Sequence, residues 1–185
     1  MLKIAIVIGS TRPHRNGEQV GQWVHQVATK RTDAEYTLVD LVDYPLPLLD
    51  EAMPPSFGQY ANEHTREWAA TIGQYDGYVF VTPEYNHSIP AGLKNAIDFL
   101  FAEWHNKAAG FVSYGVAGGV RAVEHLRGTL AEVKVATVRT QLVLGLHADF
   151  ENYQTFKPTA HHEEVLGTVL DDVVSWSTAL ATVRK

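Results

Sequence analysis

The chain contains no cysteine. That absence removes disulfides, thiolate nucleophiles and cysteine-held metals or clusters from consideration. Charge is sparse as well: Asp, Glu, Lys and Arg make up 19% of the residues and the net charge is −6. So modest an acidic balance argues against nonspecific nucleic-acid binding, which needs a basic face. No apolar run is long enough to span a bilayer. The opening Leu2-Lys-Ile-Ala-Ile-Val-Ile segment runs for only about seven residues, against the roughly 20 that a spanning helix needs. No small-residue cleavage site follows a charged leader, so the expectation is a cytoplasmic protein. Repeats, low-complexity tracts and linkers are missing too. What remains is one domain covering residues 1–185, large enough to bury a substantial core.

What is present is alternation. Residues 3–8 form a β-branched run, as expected for a central strand covered on both faces. A helix follows with Val20, Trp23, Val24, Val27 and Ala28 at helical spacing. Residues 36–41 read as the second strand, 44–55 as a proline-rich connection, 60–75 as a helix and 76–82 as the third strand. The next helix places Leu93, Ala96, Ile97, Leu100, Phe101 and Trp104 on one stripe. Residues 110–114 give strand four, 118–133 a helix and 135–143 strand five. A closing helix over 163–183 turns Val165, Leu166, Val169, Val173, Trp176 and Leu180 inward. Five strands alternating with five helices predict an α/β three-layer sandwich with a five-stranded parallel sheet and helices on both faces.

Three loops after strand ends are unlike plain connections. In open α/β sheets, ligands bind just beyond the carboxyl ends of the strands. The first loop, residues 9–17, combines Gly9, Ser10, Arg12, Arg15, Asn16 and Gly17 ahead of a helix N-terminus. Hydroxyls, backbone N–H groups and guanidinium forks suit a phosphate. The pattern is neither G-x-x-x-x-G-K-[ST] nor G-x-G-x-x-G, which favours a monophosphate over a nucleotide triphosphate or resident dinucleotide. The bland reading is an arginine-bearing surface loop capped by Asn16. The second loop carries Pro83, Glu84, Tyr85 and Asn86, braced at its far end by Pro90. Two prolines stiffen it, and a carboxylate, a ring and an amide face outward, which suits a flat heteroaromatic ligand. Its bland reading is a prolyl turn in which Glu84 and Asn86 cap backbone groups. The third loop, with Ser113, Tyr114, Gly115, Gly118 and Gly119, permits close backbone approach but serves equally as a glycine-rich turn. All three on one sheet edge are hard to assign to packing.

Elsewhere the chemistry is thin. The stretches 147–151 and 161–164 mix histidine with acid but lack H-E-x-x-H spacing. They read as caps of the last helix, with Glu163 and Glu164 in its first turn favouring the dipole. No G-x-S-x-G elbow surrounds Ser10, so a serine hydrolase is disfavoured. No catalytic side chain and no metal ligand is assigned, and His87 reads as a solvent-facing loop histidine. Phe99 lies off the buried stripe of its helix, so an exposed face marked by Phe99 and Ala102 is expected to pack on a second subunit.

The loop residues resemble those of the NADPH-dependent FMN reductase family of flavodoxin-like proteins. The likeness rests on Gly9-Ser-x-Arg with Asn16-Gly17 and on Pro83-Glu-Tyr-Asn-x-Ser-x-Pro90, continuing to Leu93-Lys-Asn-Ala-Ile-Asp98. Ser113-Tyr-Gly with Gly118-Gly119 and Leu126-Arg127 extends it. Many relatives place a serine where Arg15 stands. The resemblance implies a flavodoxin-like domain in which Ser10, Arg12 and Asn16, with Arg15 and Gly17 nearby, hold the phosphate of FMN. It also implies that Pro83, Glu84, Tyr85 and Asn86 wrap the isoalloxazine, flanked by Ser113, Tyr114, Gly115, Gly118 and Gly119. The implied activity is transfer of hydride from NADPH or NADH to FMN, then to a small acceptor: flavin, quinone, azo compound or metal oxyanion. A homodimer or homotetramer is expected, with no nucleic-acid or membrane partner. The alternatives are a flavodoxin-like electron carrier and a nonenzymatic FMN-binding module.

Overall fold

The computed structural model describes residues 1–184. Five strands form one sheet: β1 (Leu2–Ile8), β2 (Ala34–Asp40), β3 (Gly77–Pro83), β4 (Lys107–Gly115) and β5 (Val135–Gly145). All neighbours are parallel, in the order β2-β1-β3-β4-β5. Every residue of β3 and β4 is buried, which explains their continuous apolar character. Helices cover both faces. Above one face, α2 (Glu63–Gly73), α3 (Ala91–Asp98) and α4 (Val120–Glu132) enclose a core that includes Trp68, Phe80, Trp104 and Phe111. Below the other, α1 (Gly17–Ala28) and α5 (Ala160–Leu180) pack Val20, Trp23, Leu166 and Val173 against Ile4, Ile6 and Val112. The strand order reverses direction at β1, so a crevice opens beyond the carboxyl ends of β1 and β3. No helix of the described residues is long and apolar enough to cross a membrane.

Four expectations need correction. The helix expected over 93–104 stops at Asp98, and a short 3₁₀ turn, Ala102–Trp104, follows it. Phe99 is therefore not on an exposed helical face: it is fully buried, with His64 of α2 edge-on to its ring at 5.7 Å. The flank of α3 faces α2 rather than solvent, so Phe99 marks no subunit interface. In α5, Trp176 is exposed and Ser177 takes the inward position. The reason is close approach: a Cβ on Gly77 would lie 2.3 Å from Ser177 Oγ, which leaves no room for an indole. α5 also begins earlier than expected, at Ala160. Its cap is Thr159, whose hydroxyl accepts from His162 N while His162 Nδ1 accepts from Thr159 N, so the 161–164 stretch does cap the helix, through His162, with Glu163 in the first turn. Beyond these four, an antiparallel hairpin, β6 (Phe150–Glu151) and β7 (Thr155–Phe156), lies between β5 and α5, a segment for which the sequence pattern predicts no strand.

Candidate active site

The loop after β1 is pinned before it reaches α1. Gly9 N donates to Val81 O at 2.9 Å, and a Cβ at Gly9 would lie 2.9 Å from Leu93 Cδ2. Ser10 is wholly buried; its hydroxyl lies 2.8 Å from Tyr85 Oη and accepts from Arg12 N at 3.3 Å. The N-cap, Asn16, makes no side-chain capping bond, so the first-turn N–H groups of α1 and the positive end of its dipole face the loop. Arg12 is exposed and sits 5.8 Å from the centroid of the Tyr85 ring. Arg15 is engaged elsewhere: it forms an ion pair with Asp40 at the end of β2. Asn16 Nδ2 donates to Tyr153 O at 2.8 Å and thus holds the β6–β7 hairpin.

The loop after β3 is a tight turn. Tyr85 and Ser88 exchange N–H···O bonds of 2.9 and 3.1 Å, with Asn86 and His87 at φ 48° and 73°. That is a two-residue hairpin with both central residues left-handed, the geometry matched to strand twist. Glu84 N donates to Tyr114 O at 3.1 Å, tying this loop to the end of β4. The Glu84 carboxylate pairs with the Arg121 guanidinium and accepts from Arg121 N at 3.3 Å, so it caps α4. Burial alone would raise the Glu84 carboxyl, but the Arg121 bond, its charge and the backbone N–H groups outweigh that and lower it. Glu84 therefore fixes the loop as an ion and supplies no proton.

The third loop is latched from inside. Ser113 Oγ donates to Gly118 O at 2.7 Å, and Gly118 and Gly119 hold φ of 70° and 73°. Ser113 is wholly buried and its hydroxyl is committed to this turn. A Cβ on Gly119 would come within 2.9 Å of Ser113 Cβ. Tyr114 is buried, and its hydroxyl has no hydrogen-bond partner although it lies against Gly17 at the start of α1. Burial first, then the neighbouring Tyr85, pushes that hydroxyl well above its ordinary value, so it stays a neutral donor.

These loops enclose two adjoining cavities that share Arg12 and Asn16. The inner one, of about 140 Å³, is lined by Pro83, Glu84, Tyr85, Tyr114, Gly115, Val116 and Leu146 besides the shared pair. The outer, of about 730 Å³, runs between the loop after β1 and the β6–β7 hairpin and includes His14, Arg15, Gln19, Tyr153, Gln154 and Thr155. Ser10, Gly17, Asn86, Ser113, Gly118 and Gly119 line neither cavity and shape the loops that do. Sequence reasoning missed Val116, Leu146, Gln19 and the hairpin. The one available signal was an apolar residue set in the glycine-rich turn after Tyr114-Gly115, a valine that the structure leaves 73% exposed.

A five-stranded parallel sheet in this order, with such loops after β1, β3 and β4, defines a flavodoxin-like domain carrying a site for a phosphorylated ring compound. More narrowly, the chain belongs to the NADPH-dependent FMN reductase family, whose model matches residues 2–149. It is 40% identical over 158 residues to an NAD(P)H-dependent FMN reductase of Nectria sp, covering 80% of this chain and 79% of that one. An NAD(P)H-dependent FMN reductase of Schizosaccharomyces pombe is 39% identical, with 80% and 74% covered. A quinone reductase of Escherichia coli K12 is 35% identical, with 70% and 69% covered. Among solved structures, the flavoenzyme NAD(P)H:acceptor oxidoreductase FerB of Paracoccus denitrificans superposes with a TM-score of 0.74 at 23% identity, covering 97% of this chain and 98% of that one.

The residues present fit FMN. An uncapped helix N-terminus with Arg12, unpaired among the described residues, beside it matches the phosphate, and the buried Tyr114 hydroxyl has only the Gly17 backbone N–H against it. Tyr85, Val116 and Leu146 supply ring-sized apolar and aromatic surface in the adjoining cavity.

Proposed function

We propose that this protein is an FMN-dependent NAD(P)H oxidoreductase, serving a small acceptor of the quinone or flavin type, with azo compounds and metal oxyanions in the same class. FMN, when bound, supplies the hydride-accepting and hydride-donating chemistry. The chain's own residues bind and orient. The N-terminus of α1 and Arg12 attract the phosphate, and Ser10 holds the loop by its hydroxyl contacts to Tyr85 and Arg12 N. Tyr85, Tyr114 and Leu146 exclude water from the ring, and Asn86 N is the backbone donor of this loop left for its edge among the described residues, Glu84 N and Tyr85 N being bonded to Tyr114 O and Ser88 O. Glu84 and Ser113 hold the two ring loops rigid by capping α4 and latching the glycine turn. Arg15, tied to Asp40, stiffens the phosphate loop.

The observation that carries this reading is the adjacency of an uncapped, arginine-bearing helix N-terminus to an aromatic-lined cavity, through the shared residues Arg12 and Asn16. A homodimer or homotetramer remains the expected assembly, now resting on exposed apolar residues of the connection after β2, Leu48 and Phe57 among them, and not on Phe99. The test is anaerobic: the purified protein is loaded with FMN and mixed with NADPH or NADH. Rapid loss of the yellow flavin absorbance supports the reductase. Bound flavin without bleaching turns the reading into that of an electron carrier, and failure to bind FMN sinks both.

A further inference from the structure

We propose that His162, acting through Asp149, is a positioning residue of the flavin site, holding in place the turn after β5 that walls the ring cavity. The inference rests on the FMN reading above and draws on two histidine–acid stretches, 147–151 and 161–164, whose spacing gave no metal chemistry. They meet in the fold. His162 is buried, with Phe156 stacked against its ring at 6.0 Å, and its Nε2 stands 3.2 Å from Asp149 Oδ1. The other ring nitrogen fixes the tautomer. Nδ1 accepts from Thr159 N at 3.1 Å, so the proton is on Nε2 and that N–H donates to Asp149. A helix cap needs only the first of these bonds. The second serves Asp149.

Asp149 closes the turn of residues 145–149 from both ends. Its Oδ2 accepts from Gly145 N at 2.7 Å, and its own N–H donates to Gly145 O at 2.8 Å. With Oδ2 committed to Gly145, Oδ1 is left for His162 Nε2, and the two donors together fix the plane of the carboxylate. The first residue inside the turn is Leu146. Its N–H donates to Gly115 O at 3.0 Å, at the end of β4, and its side chain lines the inner cavity with Tyr114 and Val116. Gly115 and Gly145 form the last pair of β4 and β5, so the sheet ends where this turn begins. A wall carried on a turn is only as exact as the bonds that support it. Those bonds run from the start of α5 through His162 and Asp149 to Leu146.

Positioning and capping are separated by His162→Asn, Thr159→Ala, Asp149→Ala and the double variant of His162→Asn with Asp149→Ala. An asparagine amide oxygen stands where Nδ1 stood and keeps the bond from Thr159 N, but nothing then reaches Asp149. Thr159→Ala removes the capping hydroxyl and leaves the imidazole in place. Amide exchange at Gly145 and Leu146 is followed in the FMN-free protein. FMN affinity and the visible spectrum of the bound flavin are measured in the loaded one, with a thermal melt for each variant. His162→Asn is expected to speed exchange at Gly145 and to weaken FMN binding, each by about tenfold, as the loss of one hydrogen bond allows. Its melt should be no lower than that of Thr159→Ala, which loses stability but keeps both site readouts. In affinity the double variant should match Asp149→Ala, because His162 acts through Asp149. Unchanged exchange or affinity in His162→Asn, or equal changes in Thr159→Ala, makes His162 a helix cap only and overturns the proposal. A double variant that binds FMN more weakly than Asp149→Ala overturns it too. Should His162→Asn fail to fold, Asp149→Ala decides alone: weakened FMN binding supports the proposal, and intact binding overturns it. A wild type that binds no flavin removes the FMN reading itself, and the exchange contrast in the FMN-free protein tells that failure from a failure of the clamp.

Discussion

Gly17 and Tyr114 are in contact across the start of α1: a Cβ at Gly17 would lie 2.7 Å from Tyr114 Oη. The contact joins the loop after β1 to the end of β4, so the phosphate end and the ring end of the site share one steric constraint. The next nearest atoms, Ile8 Cγ2 and Tyr114 Cζ, stand at 3.4 and 3.5 Å, so the hydroxyl alone forbids a methyl group there. Gly17→Ala should therefore push the Tyr114 ring out of place, costing about 1–3 kcal/mol of stability and weakening FMN binding. Adding Tyr114→Phe should restore most of the stability. Melting curves and flavin titrations of the single and double variants decide this, and a double variant no better than Gly17→Ala refutes it.

Glu84 and Arg121 hold the ring loop to α4, and their linkage has a definite sign. The folded-state carboxyl is lowered from its ordinary 4.5 by Arg121 and backbone N–H groups, which outweigh the opposing burial. Its contribution to stability is thus complete above pH 4.5 and is lost as pH falls below that value through the folded-state titration. Glu84→Gln should abolish this acid limb while keeping the shape of the side chain. Arg121→Ala should bring the limb up toward the ordinary carboxylate range. Stability profiles between pH 3 and 6, roughly the window in which an unpaired carboxyl titrates, provide the check. Parallel profiles for wild type and Glu84→Gln would show that the pair contributes nothing.

What was legible in the sequence was whatever depends on local pattern. β3 and β4 are buried throughout, so their apolar runs announced strands covered on both faces, and the loops after them announced the sheet edge. What was hidden depends on partners distant in the chain. The bond from Asn16, read as a phosphate ligand, runs to Tyr153 O, 137 residues on, where no local pattern reaches. The pairing of Arg15 with Asp40, at the end of another strand, is equally out of reach. The hairpin strands have two residues each, too short to show a period of two. Trp176 and Ser177 exchange roles because of Gly77 on a different element, which no helical wheel contains.

Phe99 tests the distinction between core and interface directly. It is fully buried within one chain, in the cluster formed with α2 and α3. Phe99→Ala should therefore destabilise the fold by about 3–5 kcal/mol, the range for emptying an aromatic site in a core. The loss should not depend on protein concentration. Denaturant titrations at two concentrations an order of magnitude apart measure both features. A small effect, or one that grows on dilution, would return Phe99 to a subunit interface.

Lys107 lies at the start of β4, at the sheet edge remote from the site, and is nearly buried. Its ammonium donates to Ile72 O at 3.0 Å and Gly73 O at 3.2 Å at the end of α2, and to Tyr78 Oη at 3.0 Å. Burial, aided by the nearby Arg184 charge and opposed by Asp76 and Glu103, pushes it from 10.5 down to about 8. Between those values the unfolded chain binds more protons than the folded one, so this group's contribution to stability rises with pH across the window. Lys107→Met removes the titration and takes the ammonium donor from Gly73 O and Tyr78 Oη, while Ile72 O keeps the Tyr78 hydroxyl, costing about 1–3 kcal/mol. All other ionisable groups are common to the two proteins and cancel. The stability difference between wild type and Lys107→Met should therefore widen as pH rises from 8 to 10.5. A difference that stays flat or narrows over that range would mean that the folded lysine titrates as an exposed one does, and that the three hydrogen bonds compensate its burial in full.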